Sequence, residues 1–171
     1  MSSVSLIMDE KGDRCGVLFV CMGNTCRSTM AEGILRHLLN KKGLTAKYHV
    51  DSAAIMDWQV GNPVDKRTLA VLKENNVDPF HHVARHITRN DFFQFDYILG
   101  MDDYNISDLL SIKPVDSKAY IGLLGSFDES AEDPVIHDPF CSSKTIFQKV
   151  YARCYAGCLG FLKSNPQRTA V

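Results

Sequence analysis

Eight consecutive residues, Cys21-Met22-Gly23-Asn24-Thr25-Cys26-Arg27-Ser28, place thiols, a guanidinium and a hydroxyl in one short segment. A phosphate ester that is to be held and attacked needs donors converging on its oxygens, a nucleophile beneath the phosphorus, and a cation. A tight loop between a strand and a helix supplies successive backbone N–H groups as an anion nest. The helix adds its own unpaired N-terminal N–H groups. Gly23 permits a close backbone turn, and Asn24 tolerates a left-handed conformation better than most residues do. Arg27 offers a planar fork that matches two phosphate oxygens. The same donors favour a thiolate over a thiol, which makes Cys21 the candidate nucleophile. Ser28 can donate its hydroxyl hydrogen to that sulfur and help it leave in a second step. Met22, Thr25 and Cys26 complete the candidate phosphate-binding loop. Cys26 lies five residues after Cys21, where it could capture an oxidised Cys21 as a disulfide. The plain alternative is a buried cysteine at a strand end beside a solvated helix start.

The leaving alcohol or phenol needs a proton, and an aspartic acid near the mouth of the site can give it. Three Asp-Pro pairs begin at Asp78, Asp133 and Asp138. Asp78 follows a helix end and reads as turn chemistry. Asp133 and Asp138 have the same dipeptide, and local sequence leaves both open.

The elements that must position these groups alternate in type. Gly16-Val17-Leu18-Phe19-Val20 is a continuous apolar run, the signature of a buried parallel strand. Cys21 follows it directly, and Met30, Ile34 and Leu38 then recur at helical spacing. Further strands are expected from Tyr48 to about Ser52, over Tyr97–Leu99 and over Tyr120–Leu124. A helix opened by Pro63 carries Leu69 and Leu72, with Asn76 as its C-terminal cap. Another starts at Asp102 and Asp103. The last shows Phe147, Val150, Tyr151, Cys154, Cys158, Phe161 and Leu162 on one face. Strands alternating with helices imply an α/β fold: a three-layer sandwich with a central four-stranded parallel sheet and helices on both faces. Ligands bind such sheets at the C-terminal strand ends, where Cys21 stands. The irregular acidic stretch from Gly125 to about Ser143 is long enough to be functional.

With 171 residues, 45% hydrophobic and 23% charged, the chain has the balance of one globular domain. Residues 1–14 read as a loose N-terminal extension and 15–171 as the single domain. A net charge of -1 excludes a global field for nucleic acid or anionic lipid, so neither is an expected partner. No apolar run reaches membrane-spanning length. The six cysteines form no CxxC pair or zinc-like cluster, and no metal or other cofactor is expected. Free thiols point to the cytoplasm.

The segment VCMGNTCRS at 20–28 resembles the low-molecular-weight protein tyrosine phosphatases. The likeness extends through VDSAA at 50–54, GNP at 61–63, HHVARHIT at 81–88, DYILGMD at 96–102, and an Asp-Pro pair followed by FQKVY at 147–151. The resemblance implies hydrolysis of phosphotyrosine proteins or peptides, and of small aryl phosphates, through a cysteinyl-phosphate, with inorganic phosphate as product. It implies Cys21 as nucleophile, Arg27 as phosphate clamp, Ser28 as leaving-group helper, and Asn24 held by Ser52 and backed by His82. It selects Asp138 as the acid, because Asp138 precedes Phe147 by the family's spacing. Trp58, flanked by Asp57 and Gln59, matches an aromatic wall of the substrate pocket. Two features depart from the family pattern. Thr29 replaces a proline after the loop serine, and Phe140 and Cys141 replace two tyrosines after the acid. Two rivals share the loop. A thiol-dependent arsenate reductase needs two further relay cysteines, yet no cysteine lies between Cys26 and Cys141. A catalytically weak phosphotyrosine-binding module would be expected to lack Cys21 or the acid.

Overall fold

The computed structural model describes residues 13–165. The expected N-terminal extension therefore lies outside the described residues, except for Asp13 and Arg14.

Strand β1 (Cys15–Cys21) is buried along its whole length. It is central in a sheet ordered β2-β1-β3-β4, with β2 at Tyr48–Ala54, β3 at Tyr97–Gly100 and β4 at Tyr120–Leu123. Every pairing is parallel. The side-chain period of two divides β1 between two cores. Val17, Phe19 and Cys21 join one core with residues of α1 (Arg27–Lys41), α2 (Lys66–Glu74) and α5 (Lys144–Ser164). Leu18 and Val20 join the other with Phe92 of the short α3 (Asp91–Gln94) and Leu109 of α4 (Asp103–Ile112). This is the three-layer sandwich that the alternating pattern implies.

The strand order creates the site's location. The chain leaves β1 toward β2 on one side and returns to β3 on the other. The loops after β1 and β3 therefore diverge, and open α/β sheets bind ligands in such a crevice. The loop after β1 is 22–26, and the loop after β3 begins at Met101 and Asp102.

Local details depart from the periodic reading. Pro63 does not open α2. It pairs with Val83 in an isolated bridge, while Asp65 caps the helix by accepting the Arg67 N–H at 2.8 Å. A carboxylate satisfies an orphan first-turn donor, which a proline ring cannot do. Leu69 on α2 is exposed, whereas Leu72 is buried. Asn76 adopts φ +56 just after α2 and ends it in the left-handed conformation. Strand β4 stops at Leu123, because residues 124–127 tighten into a 3-10 turn.

That turn is packed against α5 at its glycines. A methyl added at Gly160 would meet the Phe127 carbonyl oxygen at 1.8 Å, and one at Gly157 the Leu124 oxygen at 2.8 Å. In a free helix, Gly→Ala gains about 1 kcal/mol. Here overpacking against backbone, about 1–3 kcal/mol in well-packed regions, opposes that gain. Gly160→Ala is expected to lower stability by roughly 1–2 kcal/mol net, read as a lower urea midpoint. An unchanged or raised midpoint would show that the turn yields freely.

Candidate active site

The loop leaves β1 at Cys21 and re-enters regular structure at Arg27, the first residue of α1. Three of its carbonyls are tied to neighbouring segments. Ile55 N–H donates to Cys21 O at 3.0 Å, Met56 N–H to Met22 O at 3.0 Å, and Asp65 N–H to Thr25 O at 2.9 Å. With these carbonyls turned outward, the loop's concave side is left to amides. The first turn of α1 contains no acidic side chain. The partial positive charge of the helix terminus is therefore not neutralised by a side chain of its own first turn.

Cys21 is 3% exposed, at the floor of this hollow. Its Sγ lies 3.0 Å from Ser28 Oγ and accepts the Asn24 N–H at 3.3 Å. Asn24 is the loop's one left-handed non-glycine residue, at φ +58. Gly23 does not take a positive φ. Its bare α-carbon instead leaves room for Gln59, whose Cγ would stand 3.0 Å from an added Cβ.

Behind the loop, the Asn24 carboxamide bonds in four directions. Its Nδ2 donates to Ser28 Oγ and Ser52 Oγ, both at 2.9 Å. Its Oδ1 accepts the Arg85 N–H at 3.0 Å and lies 2.7 Å from His82 Nε2. Ser52 Oγ donates to Glu32 Oε2 at 2.6 Å, and His82 Nδ1 stands 3.1 Å from the same oxygen. Arg36 completes the group, donating from Nε to Glu32 Oε1 at 2.9 Å. Glu32 is fully buried. Burial works against its charge, but the bond to His82, the Ser52 hydroxyl and Arg36 outweigh it and hold the carboxyl below its usual range.

Arg27 is 1% exposed, yet both terminal guanidinium nitrogens are used. Nη1 donates to Asp102 Oδ2 at 2.5 Å and to Ile136 O at 2.9 Å, and Nη2 to Asp138 Oδ2 at 3.2 Å. Burial would weaken its charge. Cys21, Asp102 and Asp138 more than compensate and hold it above its usual range. Asp102 also caps α4 in a reciprocal capping box with Asn105. It thus aims the guanidinium from the next strand end.

A cavity of about 320 Å³ opens above the loop. Its lining is loop residues 21–23 and 25–27, with Trp58, Gln59, Asp138 and Phe140. Cys26 faces it, largely buried, and that burial pushes its thiol up to about 12, only partly offset by Thr25. Asp138 lies on the cavity and Asp133 does not. The Asp133 carboxylate instead accepts the Val135 N–H at 2.9 Å and lies 3.4 Å from His137 Nε2. Asp57 and Cys141, read as pocket residues, are exposed and absent from the lining. Cys141 takes φ +60 in the turn after Phe140, a bend that carries the chain away after one aromatic.

Three contributors were not foreseen. Asp102 could have been found, since an acidic residue just beyond the C-terminal end of a central strand faces the same crevice as Cys21. Glu32 and Arg85 left no periodic trace, because the burial of the one and the ion pairs of the other depend on partners outside their local sequence.

Comparison with known proteins gives a consistent picture. The family model "Low molecular weight phosphotyrosine protein phosphatase" matches residues 16–169. A protein of that name from Pongo abelii is 43% identical over 149 residues, covering 86% of this chain and 93% of the relative. A protein tyrosine phosphatase from Entamoeba histolytica superposes with TM-score 0.85 at 29% identity, over 90% of this chain and 97% of that one. A Drosophila arginine phosphatase superposes with TM-score 0.80 at 39% identity, over 86% and 96%.

The buried network sets a pH dependence. A carboxyl held below its unfolded value adds stability above that value, near 4.5 for Glu32, and the contribution is lost as pH falls through the lower folded value. The destabilisation caused by Glu32→Gln is therefore expected to be largest at neutral pH and to shrink below pH about 4.5, measured by urea unfolding across pH. A penalty that stays constant would show that the charge of Glu32 is not what the network uses.

Proposed function

This chain belongs to the low molecular weight phosphotyrosine protein phosphatase family, and on that premise we propose how its own residues carry out the hydrolysis. The family's reaction is cleavage of phosphotyrosine monoesters through a cysteine-bound phosphate. The observation that carries the assignment is that one hollow gathers Cys21 Sγ, the loop amides, Arg27 and Asp138.

The substrate's phosphoryl group settles in the loop, its oxygens on backbone N–H groups and on the Arg27 fork. The dianion takes over Arg27 Nη2 and releases Asp138 to reach the ester oxygen. Cys21 Sγ attacks phosphorus in line. An S–P bond forms as the P–O bond breaks, and Asp138 gives its proton to the departing oxygen. Water then enters opposite the sulfur and passes a proton to Asp138. As the new P–O bond forms, the S–P bond breaks and phosphate is released. Ser28 Oγ, 3.0 Å from the sulfur, stabilises the leaving thiolate. Cys26 remains a thiol through its burial; once a peroxide has oxidised Cys21 to a sulfenic acid, this thiol, in the same loop, displaces water from it to form a disulfide. All six cysteines are free, which fits a reducing compartment such as the cytoplasm. No helix among the described residues is long and apolar enough to cross a membrane.

A second reading concerns the leaving group. The Drosophila neighbour is named an arginine phosphatase. In this chain the cavity is lined by Thr25 and Asp138 beside only two aromatics, Trp58 and Phe140, which are 60% and 64% exposed. A flat guanidinium cation leaving from a P–N bond would meet a carboxylate there.

Cys21→Ser is expected to abolish turnover of p-nitrophenyl phosphate while keeping the fold, and full activity in that variant would end the assignment. Asp138→Ala should slow poorly activated esters by about 100-fold or more, the usual loss for a general acid. Asp133→Ala should leave them nearly unchanged, and the reverse order would show that Asp133 supplies the proton.

Trp58→Ala should lower kcat/KM for phosphotyrosine peptides by roughly threefold to tenfold, the value of one aromatic contact. Cys141→Ala should change neither peptide nor p-nitrophenyl phosphate kinetics. The same assays with a phosphoarginine peptide decide between leaving groups, since faster turnover of that peptide than of the phosphotyrosine one would favour the second reading.

A further inference from the structure

Asn24 matters only if its carboxamide is held one way round. Its Nδ2 and Oδ1 have the same shape, and the Ser28 hydroxyl can donate or accept, whereas Ser52 gives its one hydrogen to Glu32 and is left to accept. The Arg85 N–H is different. A backbone amide can only donate, so the atom it meets at 3.0 Å must be the Asn24 oxygen. That contact fixes the oxygen end as Ser52, left as an acceptor, fixes the nitrogen end, and both Nδ2 hydrogens turn toward Ser28 and Ser52. Ser28 in turn is left to serve Cys21 Sγ.

The Arg85 backbone is held in place by its own side chain. Nε donates to Asp51 Oδ2 at 3.0 Å, and Nη2 lies 3.0 Å from the same oxygen. Nη1 and Nη2 clamp both oxygens of Asp91 at 2.9 and 3.0 Å. Asp91 is 4% exposed and also accepts from the Thr88 N–H and hydroxyl. Asp51 belongs to β2, next to Ser52, and Asp91 opens α3. The guanidinium thus joins a central-sheet strand to the opposite layer. Residue 85 is also bonded through its carbonyl, which accepts the Ala54 N–H at 2.8 Å.

We propose that Arg85 is a positioning residue for the phosphatase reaction: its guanidinium, clamped between Asp51 and Asp91, fixes the backbone N–H that orients the Asn24 carboxamide and so the phosphate loop. The proposal rests on the reading of residues 21–28 as the phosphate loop. It assigns Arg85 no contact with substrate.

Vanadate binding tests it, since vanadate occupies the loop without needing a leaving group. Arg85→Lys keeps the charge but loses the two-sided clamp, and it is expected to weaken vanadate binding by roughly threefold to tenfold, the scale of one amide hydrogen bond. In an Asn24→Ala background, the same substitution should have no further effect, because the path through Asn24 is gone. Equal weakening in both backgrounds would overturn the proposal. A merely structural role is separated by Arg85→Met with Asp91→Asn, which removes the uncompensated buried carboxylate. Thermal stability should rise from that of Arg85→Met alone while vanadate affinity stays low. Recovery of both would make Arg85 a stability residue only and would also overturn the proposal. Failure of the underlying reading shows elsewhere: vanadate would bind Asn24→Ala as tightly as wild type, and Cys21→Ser would retain turnover.

Discussion

One carboxamide keeps the catalytic loop open. Asn24 sits at φ +58 with no exposed surface, and a left-handed non-glycine residue persists only where its surroundings over-determine it. Here those surroundings are a serine from α1, a serine from β2, a histidine and a backbone amide from the 81–88 stretch. These partners come from three separate segments, so the loop's shape depends on how α1, β2 and the 81–88 stretch are brought together. The Cys21 thiol, the helix terminus and the guanidinium inherit their positions from that peg.

Electrostatics organise the same region in two layers. In front, Arg27 balances Cys21, Asp102 and Asp138. Behind, Arg36 and Arg85 balance Glu32, Asp51 and Asp91. Each buried charge meets an opposite one, and such networks hold when every member is satisfied. None of these rear residues lines the cavity above the loop, yet the layer sets which groups of the front layer are available for chemistry.

The front layer was largely legible from the sequence. The apolar run at 16–20 and the spacing of Cys21, Arg27 and Ser28 are local signals, and they located both the strand and the hollow. The whole-chain resemblance separated Asp138 from Asp133, which identical dipeptides could not. Glu32 was invisible because one acidic residue among buried neighbours on a helix looks like its solvated face until Ser52 and His82 arrive from elsewhere. The placement of Cys141 failed for a backbone reason. The turn at φ +60 redirects the chain, and counting residues after an acid cannot see a turn. Pro63 was misplaced because the long-range pairing of 61–63 with 83–84 overrode its helix-starting tendency.

The segment carrying Asp138 is fastened at more than its ends. Phe127 is seated on Gly160 of α5, and the same helix begins at Lys144. Between those feet, Ile136 is 1% exposed, donates its N–H to Met101 O at 2.8 Å and accepts from Arg27 through its carbonyl. That tack divides a long, slack span into two, and Asp138 hangs just two residues beyond it. Two residues extend at most about 7 Å. The carboxyl is therefore tethered like a weight on a short cord, beside the guanidinium and with a radius too small to wander from the hollow.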